Sequence, residues 1–102
     1  MKADLLKSYL KANCLGRRRT VPGSTLEHTL HLSGNELRKY VNRLRRQGVP
    51  IASSRDGYFY AETAGEVYAT IRQLGQMEKG LHAAIVGLEG ALEKFGEGDA
   101  SE

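Results

Sequence analysis

Apolar residues first recur at Leu5, Leu6, Tyr9 and Leu10, the i, i+4 spacing that lines one face of a helix. A first helix is expected from Ala3 to Ala12, closed at Asn13-Cys14-Leu15-Gly16 by the glycine. Arg17-Arg18-Arg19 then reads as a loop. Thr20-Val21 has room only for a very short strand, which Pro22-Gly23 breaks. Ser24-Thr25-Leu26-Glu27 has the form of a capping box, a hydroxyl serving the third amide and a glutamate reaching back, and predicts a short helix from Thr25 to His31. A second box, Ser33-Gly34-Asn35-Glu36, opens a third helix that runs to about Gln47 and stops at Gly48, with Pro50 beyond. Two capped helices so closely spaced make a helix-turn-helix. Val49 to Ser53 reads as a strand, Ser54-Arg55-Asp56-Gly57 as a turn, and Tyr58-Phe59-Tyr60 as the returning strand. Alternation sets Tyr58 and Tyr60 on the core side and leaves Phe59 exposed.

The pattern changes after Ala61. Thr63-Ala64-Gly65-Glu66 is a third capping box. Behind it Val67, Ile71, Leu74, Leu81, Ile85, Leu88, Leu92 and Phe95 alternate by four and three, with Glu78 in one slot. This is a heptad seam, widened by Met77, Ala84 and Ala91. A helix from Ala64 to Phe95 would be roughly 48 Å long at about 1.5 Å per residue. It carries Gly75, Gly80, Gly87 and Gly90, each costing about 1 kcal/mol against alanine, so packing must hold it. The front of the chain leaves no unused apolar element, which points to a second subunit. The rival is a helix bent at Gly80 and folded back on itself. The expected organisation is a helix-turn-helix with a hairpin wing over residues 1–61, a dimerisation helix over 62–96 and a disordered acidic tail over 97–102. The fold class is mostly α with a small β-hairpin, and cutting the chain after Ala61 should leave a folded monomer.

Composition adds exclusions. The chain has 102 residues, 40% hydrophobic and 26% charged, which suits one ordinary globular domain. No apolar run of membrane-spanning length occurs, and the acid at position 4 with no apolar run behind it argues against a secretory signal, so a cytoplasmic location is expected. The single cysteine, Cys14, can form no internal disulfide. Charge is more telling when divided. Residues 1–60 carry twelve Lys/Arg against four Asp/Glu, net +8, whereas residues 61–102 carry three against eight, net −5. Such a division suits a front half that meets a polyanion.

The third helix shows where that contact would be. At 100° per residue, Leu37, Val41 and Leu44 form one stripe with Tyr40 at its edge, and these face the core. The opposite stripe is Asn35, Lys39, Asn42 and Arg46, flanked by Arg38 and Arg43. Its only acid, Glu36, is used by the cap. Soluble faces usually mix signs. Amides can be bidentate to adenine and cations can reach guanine or phosphates, so duplex DNA is the expected partner.

Pro22-Gly23-Ser24, the run from Leu32-Ser33-Gly34-Asn35-Glu36 through Leu44-Arg45, Gly48-Val49-Pro50-Ile51 and Gly57-Tyr58 together resemble the winged helix-turn-helix domain of the biotin-operon repressor type. The resemblance covers Thr20 to Tyr60 and excludes the long helix. Nothing resembling that family's ligase domain follows. His31 stands where the family's turn usually holds glycine, and histidine tolerates a left-handed backbone better than most residues. The resemblance implies that Asn35, Arg38, Lys39 and Asn42 enter the major groove and that Arg55 at the wing tip approaches the minor groove or its phosphates. Arg17, Arg18 and Arg19 would either grip phosphates or form a charged loop.

Other chemistry finds little support. His28, His31 and Cys14 lack the paired spacing of a zinc site, Cys14 suits small core filling, and no phosphate-binding or dinucleotide fingerprint occurs. No enzyme, metal or cofactor is expected. The expected function is a homodimeric, nucleoid-associated regulator of transcription of bacterial, phage or mobile-element origin. The alternatives are an interaction adaptor with the winged helix as scaffold, and a replication or architectural accessory protein.

Overall fold

In the computed structural model the backbone is described for residues 2–100 and side chains for residues 2–92. The order is α1 (Lys2–Asn13), a single 3-10 turn (Arg17–Arg19), α2 (Gly23–Leu30), α3 (Gly34–Arg46), β1 (Ile51–Ser54), β2 (Gly57–Tyr60) and α4 (Ala64–Ala100). The class is thus mostly helical with one antiparallel hairpin and a long C-terminal helix, as the sequence pattern predicts. The chain divides into two compact units, residues 1–70 and 71–102.

The first unit is closed by one apolar cluster. Ala3, Leu6, Leu10 and Cys14 come from α1 and its end; Leu26 comes from α2, and Leu37, Val41 and Leu44 from α3. Leu32 of the turn before α3, Ile51, Ala52 and Phe59 of the hairpin, and Ala61 after it complete the cluster. Leu6, Leu10 and Leu26 are fully buried, each worth about 1.5–3 kcal/mol before entropy is charged. Leu5, which shares the apolar pattern of α1, lies off this face and is exposed.

The termini of the helices explain their boundaries. At α3 the predicted capping box is formed: Glu36 N–H donates to Ser33 Oγ at 3.1 Å and Ser33 N–H donates to Glu36 Oε1 at 2.9 Å. At its other end Gly48 N–H bonds Arg45 C=O and Val49 N–H bonds Leu44 C=O, both at 3.0 Å, with Gly48 at φ +89°. This is the Schellman closure that glycine favours. Between α2 and α3, His31 takes the left-handed conformation at φ 55°, so the turn keeps the backbone expected of glycine there. Lys2 Nζ donates to the His31 carbonyl at 2.8 Å and ties α1 to this turn.

Four expectations are corrected. The box at Ser24 does not form. Pro22 is the N-cap and α2 starts at Gly23, because the Pro22 carbonyl already accepts from Thr25 and Leu26 N–H. Thr20-Val21 makes no strand; Val21 joins β2 through one bridge to Tyr58, bonded in both directions at 2.9 Å. Arg17–Arg19 is a 3-10 turn rather than open loop. Phe59 is buried, whereas Tyr58 and Tyr60 are half-buried at the core edge. The register sets Phe59 opposite Ala52, and that small side chain leaves room beneath the hairpin for one large ring.

The first unit also extends past Ala61 into α4. The third capping box is formed, with Glu66 N–H on Thr63 Oγ1 and Thr63 N–H on Glu66 Oε1, both 3.2 Å. The same carboxylate accepts from Glu62 N–H at 2.7 Å and from Arg17 N–H at 3.1 Å. These donors, Glu62 first, hold Glu66 below the ordinary glutamate range. Thr70 is buried and its hydroxyl accepts from Ser53 N–H at 3.1 Å. A cut after Ala61 would remove all of these contacts; the compact unit ends at Thr70.

The helix α4 is continuous through Gly75, Gly80, Gly87 and Gly90, which removes the hairpin bent at Gly80. Within it Ile71, Leu81, Ile85, Leu88 and Leu92 are more than half exposed and Leu74 is 37% exposed. Val67, in the part of α4 that belongs to the first unit, packs against the core of that unit. The Phe95 side chain lies outside the described residues, and the helix bounds reach past it to Ala100. Among the described residues no helix is long and apolar enough to cross a membrane.

Candidate nucleic-acid interface

The buried stripe of α3 fixes the opposite face toward solvent. Leu37, Val41 and Leu44 are each 2% exposed, and Tyr40 is half-buried at the edge. Asn35, Arg38, Lys39, Asn42, Arg43 and Arg46 are all exposed, as the projection requires. Two of them are held in place. Arg38 Nη2 donates to Asn35 Oδ1, one turn back. The Arg43 guanidinium lies 5.5 Å from the centroid of the Tyr40 ring, within cation–π range. These contacts reduce the rotamer freedom that binding would otherwise have to remove. The acid of the helix, Glu36, is spent at the cap, where Ser33 N–H is the main cause that keeps its carboxyl below the ordinary range.

Arg45 is absent from this face. It is four residues beyond Val41, at the flank of the core stripe, and is half-buried. Its Nε donates to Ile51 C=O at 2.8 Å and its Nη2 to Ser53 Oγ at 3.2 Å. Burial lowers its pKa from the ordinary arginine value, against the opposing effect of Tyr58. The residue therefore fastens the hairpin to α3 and sets where the hairpin stands. The spacing from Val41 was the available signal for this role.

Arg55 occupies the two-residue tip between Ser54 and Gly57 and is exposed, beside Asp56. Gly57 has φ +142°, and a Cβ there would run into the Val21 carbonyl. The Val21–Tyr58 bridge thus requires glycine at the base of the tip. Arg17, Arg18 and Arg19 are exposed on a turn packed against β2, where Thr20 Oγ1 donates to Arg17 C=O at 2.6 Å. Arg18 and Arg19 share an open groove with Lys11, Ala12, Leu15 and Glu62. Lys11 is a cation that sequence reasoning did not assign; it sits four residues after Lys7 on the exposed side of α1. The α3 residues thus form one face, Arg55 marks the hairpin tip, and Arg18 and Arg19 line a groove with Lys11 and with Glu62 in its wall.

Cys14 is buried, and burial pushes its thiol upward against the opposing effect of Arg19, which suits core filling. Among the described residues no three His, Cys, Asp or Glu side chains cluster as metal ligands would. Searches of family models, of curated proteins and of solved structures find no match for this chain.

Proposed function

We propose that this protein is a homodimeric, sequence-reading binder of double-stranded DNA, built on a winged helix of the biotin-operon repressor type, and that it regulates transcription. The observation that carries the reading is the face of α3. It is exposed, cationic and amide-bearing, its one acid is tied into the cap, and it lies opposite a fully buried stripe. Such a face supplies base-edge partners and phosphate neutralisers together. The exposed seam of α4 supports pairing of two copies, which would join two half-sites.

In this reading Lys39 and Asn42 read bases from the middle of α3, and Arg55 meets backbone at the wing tip. Lys39→Ala and Asn42→Ala are expected to relax the sequence preference, each losing about 1–3 kcal/mol of discrimination at one base position. Arg55→Ala is expected to weaken all sequences alike. Selection from random duplexes with each variant tests this. Motifs unchanged in both α3 variants would remove α3 as the reader.

A further inference from the structure

We propose that the seam of α4 is covered by α4 of a second copy running antiparallel. This rests on the dimer reading above and adds its direction.

The seam has two columns. Ile71, Glu78, Ile85 and Leu92 occupy one, and Leu74, Leu81 and Leu88 the other. Ile85, Leu88, Glu89 and Leu92, at i, i+3, i+4 and i+7, line an apolar concavity together with Ala91. Four residues so spaced make the hole that receives one side chain of a facing helix. Exposed Leu and Ile side chains flank it along the same helix, so the face carries both knobs and a hole and can pair with itself.

Direction follows from charge. In a parallel pair, equivalent columns face each other, and Glu78 would meet the partner's Glu78 inside the seam. Two carboxylates there repel, or one must take up a proton. An antiparallel pair offsets them along the axis. With Ile85 against the partner's Leu88, the two Glu78 residues move to opposite ends of the contact, Ala84 faces the partner's Ala91, and His82 stands opposite the partner's Glu89. The wider charge pattern agrees. Residues 71–82 hold Arg72 and Lys79 against Glu78, and Glu89 is the one charge of residues 83–92, so antiparallel pairing sets Glu89 beside the more basic half of the other copy, and parallel pairing sets it at the level of the partner's Glu89.

The test uses spin labels at Gln76, Ala83 and Gly90, one heptad apart on the outer face of α4, introduced singly as cysteines in the full chain with Cys14→Ala. A Cβ at Gly90 meets nothing within 4 Å. In a parallel pair the three inter-copy distances are equal. In an antiparallel pair each heptad step moves the two labels by about 21 Å relative to each other along the axis, at about 1.5 Å per residue. Unequal distances, longest at Gln76, support the proposal. Equal distances overturn the direction and keep the dimer. No inter-copy distance, with a monomer in sedimentation equilibrium of the unlabelled chain, overturns the dimer reading itself.

Discussion

Leu81→Glu is expected to convert the protein to a monomer at micromolar concentration and to abolish tight binding to a paired DNA site. Leu81 is 67% exposed in the single chain and lies in the middle of the seam. Burying each such leucine is worth about 1.5–3 kcal/mol, and a symmetric pair loses two of them at once. The substitution also adds two carboxylates to a seam that already holds Glu78. The combined loss of about 5 kcal/mol or more corresponds to a weakening of self-association of about five thousandfold or more. DNA binding follows, because a linked pair gains about 10²–10⁴ in avidity over one module. Residues 71–92 should also lose helical signal, since this stretch of α4 holds four glycines and its large apolar side chains are exposed in the single chain. Sedimentation equilibrium and circular dichroism measure both effects. Gln76→Glu, on the outer face, adds the same charge and should leave the dimer intact. Dimeric Leu81→Glu would move the association surface into the first unit.

Gly57→Ala is the largest expected loss of stability in the first unit. The residue has φ +142°, and a methyl group there would press on the Val21 carbonyl and the Pro22 Cα. Relief requires breaking the Val21–Tyr58 bridge or shifting the hairpin tip that carries Arg55. Strain and overpacking of this kind cost about 2–5 kcal/mol together. The midpoint of urea unfolding reports it. Gly80→Ala is the contrast: a Cβ there meets nothing within 4 Å, and alanine should stabilise α4 by about 1 kcal/mol. A Gly57→Ala protein as stable as the parent would mean that the bridge to Val21 does not form.

These two glycines show what was legible in the chain and what was not. The cost of Gly80 follows from helix propensity, which is local. The need for Gly57 is a matter of which backbone passes over it, and that is decided by a bridge to a residue far along the chain. The same division runs through the rest. Ser33 and Glu36 meet across one turn, so their box was readable, as was the core stripe Leu37, Val41 and Leu44 that aims Lys39 and Asn42 outward. Ser24 and Glu27 have the same spacing and make no box, because the chain turns into the helix at Pro22, which is the N-cap in extended conformation and whose carbonyl takes the first helical bonds. Phe59 was misread because both faces of a short hairpin touch the core here; the small Ala52 opposite it was the clue. Arg45 and Glu66 act through contacts with β1 and with Arg17, partners that no local pattern names.

The central claim is that the cationic front half binds duplex DNA, and the most direct measurement is the affinity for random-sequence duplex followed from low to physiological salt. If about five cations engage per subunit, among Arg17 to Arg19, Arg38, Lys39, Arg43, Arg46 and Arg55, log affinity should fall against log salt with a slope of roughly −4 to −5 per subunit. No association with duplex DNA at low salt would contradict the account.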